Sequence, residues 1–410
     1  MNSATKVVAG ALAATCLLTT ALPASAAPAP TPVRGQLVSE QHLSTLTPAQ
    51  TTSTLTQAGF DASAVHFGVD AYRLVYRTID PAGHPTTASG LLVLPRNGSR
   101  DLWTMSFTHG TESYRPDAPS SWQPDGFLTS PAVTYASAGF AAVAPDYLGL
   151  GAGPGTHPWM DLPSETTASV DMLRAARIAV ARTGRTLDRQ VLVTGFSQGA
   201  SAALGLARAL RGDPWFRVGA VAPISGAYAF RKVELPAILA GGGQIPAQIG
   251  TIYAAYLLVS WNRLHHLYNS PAEVFKAPYD TEVDALFDGS TPGQDMVAAL
   301  PGTLDALLTP RGQAMLAHPT GAFAAALGVA DSVCSDWSPQ APIRLYRADG
   351  DEQAADANTT ACQAEFAAHG VATPIVDLGT PDYQDSRHLG SAVAGTASIV
   401  AWFSQLRAAR

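Results

Sequence analysis

Residues 191–199 read VLVTGFSQG. An apolar run, Val191 to Val193, leads into Gly195-Phe196-Ser197-Gln198-Gly199, a G-x-S-x-G pattern. The run reads as a buried parallel strand. Residues 200–210 (ASAALGLARAL) are rich in helix formers. A strand that turns sharply into a helix pushes the Ser197 hydroxyl out at the carboxyl edge of a sheet. The flanking glycines have a steric reason, since a side chain at 195 or 199 would crowd the turn. Five-residue matches arise easily by accident. The strand before this one and the helix after it make it a constraint on the whole chain.

The other bounds are broad. A chain of 410 residues fits one large α/β domain with an insertion. With 47% hydrophobic and 14% charged residues, a large core is available and disorder is not expected. The formal net charge of -7 argues against nucleic acid or an anionic membrane as the main partner. The N-terminus reads as a secretory leader over residues 1–27. Lys6 precedes an apolar run from Val7 to Leu22, and Ala24-Ser25-Ala26 offers a small-x-small cleavage pattern. That run is too brief for a membrane anchor and is followed by Pro-rich sequence. The expected location is therefore secreted, extracellular or periplasmic according to the host's envelope. Removing the leader removes Cys16 and leaves Cys334 and Cys362. In an oxidising compartment this pair is expected to form a disulfide around 27 intervening residues.

Along the chain, residues 28–65 read as an arm or short helices. Residues 71–79 and 88–94 look like a hairpin joined at Asp80-Pro81-Ala82-Gly83. Strands follow at 102–108 and 141–144, then a helix at 164–182 with Ser164 as N-cap. The bend at Ser197 and a strand at 217–224 come next. From 228 to 337 no strong strand is readable, only apolar helical runs. One of these, residues 245–261, has no charge over 17 residues. It reads as a helix facing an apolar substrate, since Pro246 and Gly250 make it a poor membrane span. Alternation returns with a strand at 343–346, a helix at 354–369, a strand at 375–376 and a helix at 389–406. Strand–helix alternation implies a mostly parallel sheet flanked by helices. The interruption implies a helical cap over the carboxyl edge, where the site must lie. The expected division is a core of 28–227 and 338–410, with the cap at 228–337.

A serine hydroxyl needs a base, and the base needs an orienting acid. In this topology the acid and then the histidine follow the nucleophile. His388 stands between the last strand and the last helix and is the expected base. His369 sits at a helix end and suits a capping role. The acid should follow the strand at 343–346, where Asp349, Asp351 and Glu352 compete; Asp351 is favoured, with Asp349 second. The disulfide would flank this loop. Two N–H donors must face the oxyanion. They are expected from Gln198, directly after the nucleophile, and from Thr111, after Gly110 in His109-Gly110-Thr111. Tyr147 and Gly149 are expected to shape the rim, with Gly110 and Tyr147 as substrate-binding residues. His157-Pro158-Trp159 fits either cap packing or a pocket wall. No metal-spaced His/Cys cluster is present.

With these residues placed, the chain resembles the α/β-hydrolase superfamily, and more closely the secretory lipase family of exported, capped lipases and esterases. The stretches that carry the likeness are THGT at 108–111, PDYLGLG at 145–151, HPW at 157–159, GFSQG at 195–199 and PISGAY at 223–228, with the Asp351 and His388 loops. The resemblance implies a carboxylic ester hydrolase with no cofactor. It implies a Ser197–Asp351–His388 triad, with Gln198 and Thr111 as oxyanion donors. An apolar ester is then the partner, with at most a transient lipid interface. The sequence departs at DGDEQAAD, where Gln353-Ala354-Ala355 replace the usual apolar and Pro residues. An exported serine peptidase of the same fold is the alternative. It would need acidic cap residues to hold a substrate amine, and Glu234 and Glu273 stand isolated. A non-catalytic binding module would not need a complete Ser, Asp and His set.

Overall fold

The structure is a computed structural model that describes residues 1–2 and 33–409. All but the first two residues of the expected leader lie outside the described residues. The strands are β1 (Leu37–Leu46), β2 (Val69–Ile79), β3 (Pro85–Pro95), β4 (Asp101–Thr108), β5 (Ala141–Pro145), β6 (Thr186–Phe196), β7 (Arg217–Ile224), β8 (Leu345–Arg347) and β9 (Ile375–Asp377). They form a 9-stranded sheet in the order β1-β2-β3-β5-β4-β6-β7-β8-β9. From β5 through β4 to β9 every neighbouring pair is parallel, whereas β1, β2 and β3 join antiparallel.

The helices are α1 (Pro48–Gln57), α2 (Ser130–Ser137), α3 (Leu162–Arg182), α4 (Gln198–Leu210), α5 (Leu235–Leu239), α6 (Ala247–His265), α7 (Tyr279–Leu286), α8 (Gly293–Ala299), α9 (Leu304–Leu307), α10 (Pro310–Ala317), α11 (Gly321–Ala330), α12 (Ala357–Ala368) and α13 (Arg387–Ala408). The period-2 alternation of strand side chains feeds two cores. Leu91, Val93, Ala142, Ala144 and Leu192 pack with α1, α2 and α13. Leu92, Leu94, Ala141, Val143, Val191 and Val193 face α3 and α4. Both faces are covered, so these strands read as continuous apolar runs. The expected α/β-hydrolase architecture, a mostly parallel sheet flanked by helices, is what the chain adopts.

Between β7 and β8 the chain forms α5 to α11, which share a core of their own around Trp261, Phe275 and Phe287. The 17-residue uncharged run lies almost wholly in α6, most of whose side chains are buried in that core. Two local expectations need correction. Residues 37–46 form an edge strand, not an arm. Most of its side chains are solvent-accessible, so no apolar alternation marked it. The N-cap of α3 is Asp161, whose carboxylate accepts the Ser164 N–H. Pro163 sits in the first turn, where its missing N–H costs nothing. Cys334 and Cys362 are joined in a disulfide, and both are buried.

Candidate active site

The bend at Ser197 is set by close approach. Ser197 has φ 57° and ψ -122°, a left-handed conformation that a non-glycine residue holds only when its surroundings fix it. A Cβ at Gly195 would lie 2.1 Å from the Gly199 carbonyl oxygen. A Cβ at Gly199 would lie 2.0 Å from the carbonyl oxygen of Thr108, at the end of β4. The Thr108 hydroxyl donates to the Gly199 carbonyl at 2.7 Å and pins the turn to the neighbouring strand.

His388 is the second residue of α13, and its ring reaches Ser197 from across the sheet edge. Its Nε2 lies 2.8 Å from Ser197 Oγ. Its Nδ1 lies 2.8 and 2.9 Å from the two carboxylate oxygens of Asp351. The proton on Nδ1 therefore points at Asp351, and Nε2 is left to accept from the serine hydroxyl. Asp351 also accepts the Gln353 and Ala354 N–H groups, each at 2.9 Å. Burial works against its charge. The charge and hydrogen bond of His388, with the two N–H groups, outweigh burial and hold the carboxyl below its usual range. Asp349 is elsewhere: it is about half exposed, with 52% of its side chain accessible, and pairs with Arg347.

Glu352, the third carboxylate of this loop, takes a role that no local pattern signals. It accepts from the Ser386 hydroxyl, from Arg387 N at 3.1 Å and from His388 N at 3.3 Å. A carboxylate thus caps the helix that carries His388, where charge and orphan N–H groups favour it. Adjacent carboxylates hold one histidine, Asp351 by its ring and Glu352 by its backbone.

Gly110, Thr111, Ser197 and His388 line a single cleft, with a cavity of about 350 Å³. The N–H of Gln198 is the first of α4, and such groups have no partner within the helix. The Thr111 hydroxyl accepts from the Trp159 indole at 3.0 Å. Trp159 stacks on Tyr256 of α6 at 4.8 Å between ring centroids. The helical insertion touches two loops that line the cleft: the Tyr256 hydroxyl donates to the Glu112 carbonyl at 3.0 Å, and the Tyr253 hydroxyl to Gln353 at 2.7 Å. His157-Pro158-Trp159 is thereby resolved as packing beneath the insertion.

Tyr147 corrects an expectation. It does not line the cleft but is buried, with its hydroxyl on the His109 carbonyl at 3.1 Å and its ring stacked on His157. It supports the loop that carries Gly110 from below. A second buried network lies under the bend. The Gln198 side-chain amide donates to Glu165 at 2.6 Å and to His157 Nε2 at 2.9 Å. His157 Nδ1 faces the Leu148 carbonyl at 3.0 Å, so the ring is neutral with its proton there. Burial drives the His157 pKa down to about 3 and that of Glu165 up to about 8. Among the described residues, no group of three or more His, Cys, Asp or Glu is placed to hold a metal ion.

The fold has counterparts in solved structures. A rice cell wall degrading esterase, LipA from Xanthomonas oryzae, matches with a TM-score of 0.79 at 27% identity, covering 91% of this chain and 98% of that one. The chain is an α/β-hydrolase of the lipase and esterase type. A protein from Legionella pneumophila shares the fold with a TM-score of 0.81 at 24% identity, over 90% of this chain and 98% of that one. Candida antarctica lipase A shares it more loosely, with a TM-score of 0.59 at 13% identity, over 84% of this chain and 76% of that one. No sequence-family model and no curated protein sequence matches this hydrolase.

Proposed function

We propose that the protein is an exported serine carboxylic ester hydrolase that works through an acyl-enzyme on Ser197. The observation that carries this reading is the line Asp351–His388–Ser197 at the base of the cleft, with Nε2 2.8 Å from the serine oxygen. In the reaction, Ser197 Oγ attacks the ester carbonyl and His388 takes its proton. Asp351 holds the ring and stabilises the imidazolium that forms. The N–H groups of Gln198 and Thr111 receive the oxyanion. The alcohol leaves with the proton from His388, and a water repeats the sequence to release the acid. Residues 228–337 act as a cap over the cleft. The buried disulfide fits an oxidising compartment, which accords with a secretory leader at 1–27.

The test is turnover of p-nitrophenyl butyrate beside an aminoacyl-p-nitroanilide. The wild-type chain hydrolyses the ester, and Ser197→Ala lowers kcat by at least about 10³-fold. Retention of ester turnover by that variant, or preference for the anilide, overturns the reading.

A further inference from the structure

The peptidase alternative sought acidic side chains in the insertion. Glu234 cannot serve there. It is buried and holds the Asn358 amide at 2.6 Å and the Ala355 N–H at 3.0 Å. The acidic lining lies instead on the loop that follows β4. Glu112 and Asp117 both line the cleft that holds Ser197.

Three observations give that lining a sign. Among the described residues, no lysine or arginine lines the cleft, and the one basic group there, His388, is committed to Asp351 and Ser197. The nearest guanidinium in sequence, Arg115, is turned onto the carbonyls of Gly149 and Gly155. Among the described residues, neither Glu112 nor Asp117 forms an ion pair. Glu112 Oε1 takes the N–H groups of Ser113 and Tyr114 at 2.8 and 3.0 Å, while its other oxygen has no hydrogen bond among the described residues. Burial pushes its carboxyl up to about 7. Asp117 adds to the rise, against the N–H groups of Tyr114 and Ser113. Aromatic rings, Phe127 and Tyr253, line the same cleft.

A carboxylate directly after an oxyanion donor opposes the negative charge that the reaction must build. A cation bound in the cleft cancels that opposition and relieves the cost of burying Glu112. Carboxylates with aromatic faces are the chemistry that recognises ammonium groups. We propose, resting on the ester-hydrolase reading, that the cleft selects esters bearing an ammonium group and that Glu112 and Asp117 set this preference.

The test compares isosteres that differ only in charge. Butyrylcholine against 3,3-dimethylbutyl butyrate places the cation on the alcohol. The p-nitrophenyl esters of 6-aminohexanoate and heptanoate place it on the acyl chain. In at least one pair the cationic ester is expected to exceed its neutral partner in kcat/KM by about tenfold or more. Glu112→Gln with Asp117→Asn should bring that ratio toward one; both substitutions keep acceptor oxygens for the existing bonds. The pair that shows the ratio says which side of the ester carries the cation. Ratios near one in both pairs, measured on the wild-type chain alone, overturn the proposal, as does a ratio that survives in the double variant. Failure to cleave even the neutral esters would instead remove the underlying ester-hydrolase reading.

Discussion

Asp351→Asn isolates the contact that orders the site. In the native chain Nδ1 of His388 lies 2.8 and 2.9 Å from the two Asp351 oxygens, and both side chains are only 2% exposed. An asparagine keeps the volume and can still accept the Gln353 and Ala354 N–H groups. It loses the charge that stabilises the imidazolium, and its amide can force the ring into the other tautomer. At an effective dielectric of about 20, opposite charges some 4 Å apart attract by about 4 kcal/mol. Losing that from the transition state lowers kcat by roughly 10³-fold, and the wrong tautomer takes the loss toward 10⁴. Asp349→Asn is the internal comparison. That carboxylate is about half exposed and paired with Arg347, an arrangement worth under about 1 kcal/mol. Its kcat should stay within a few-fold of wild type. The assay is kcat and kcat/KM on p-nitrophenyl butyrate, with thermal melts to show that both variants fold. If Asp351→Asn retains more than a tenth of the wild-type kcat, or Asp349→Asn loses more than Asp351→Asn, the assignment of the acid is wrong.

Glu165→Gln should flatten one part of the stability profile. Burial pushes the Glu165 carboxyl up to about 8 in the folded chain, against 4.5 for a solvated glutamate, so between those pH values the folded chain holds a proton that the unfolded chain has released. Its contribution is complete below the lower value and is lost as pH rises through the upper, by an amount on the order of a few kcal/mol. Melting temperatures from pH 5 to 8 should show the variant gaining on wild type as pH rises; parallel curves would contradict the assignment. Replacing Cys334 and Cys362 by serine should cost about 3–4 kcal/mol on the chain-entropy account, read by urea denaturation. The bridge spans the loop of Asp351, so kcat should also fall under conditions where the variant is fully folded. Unchanged kinetics would make the bridge purely a stabiliser. Substitution is preferable to reductant because both sulfurs are buried.

The bend at Ser197 was legible because its requirements are local. A buried strand, two glycines and a helix are contiguous, and each glycine is needed within a few residues of the serine. The strand–helix alternation likewise follows from neighbouring residues, and it fixed the class of fold and the chain order in which acid and base could appear. The edge strand at 37–46 escaped because an exposed strand carries no burial pattern.

What folding alone decided was which side chains meet. Ser197 and His388 are separated by 191 positions. Asp349, Asp351 and Glu352 share one short loop and look alike in sequence. Yet one is exposed against an arginine, one is buried against the imidazole ring and one caps the backbone of α13. Which way each carboxylate points depends on the path of the loop against α13, and no local pattern encodes that path. The same holds for the cleft's charge: Glu112 and Asp117 matter because Arg115 turns away from them, a choice made by carbonyls 34 and 40 positions further along.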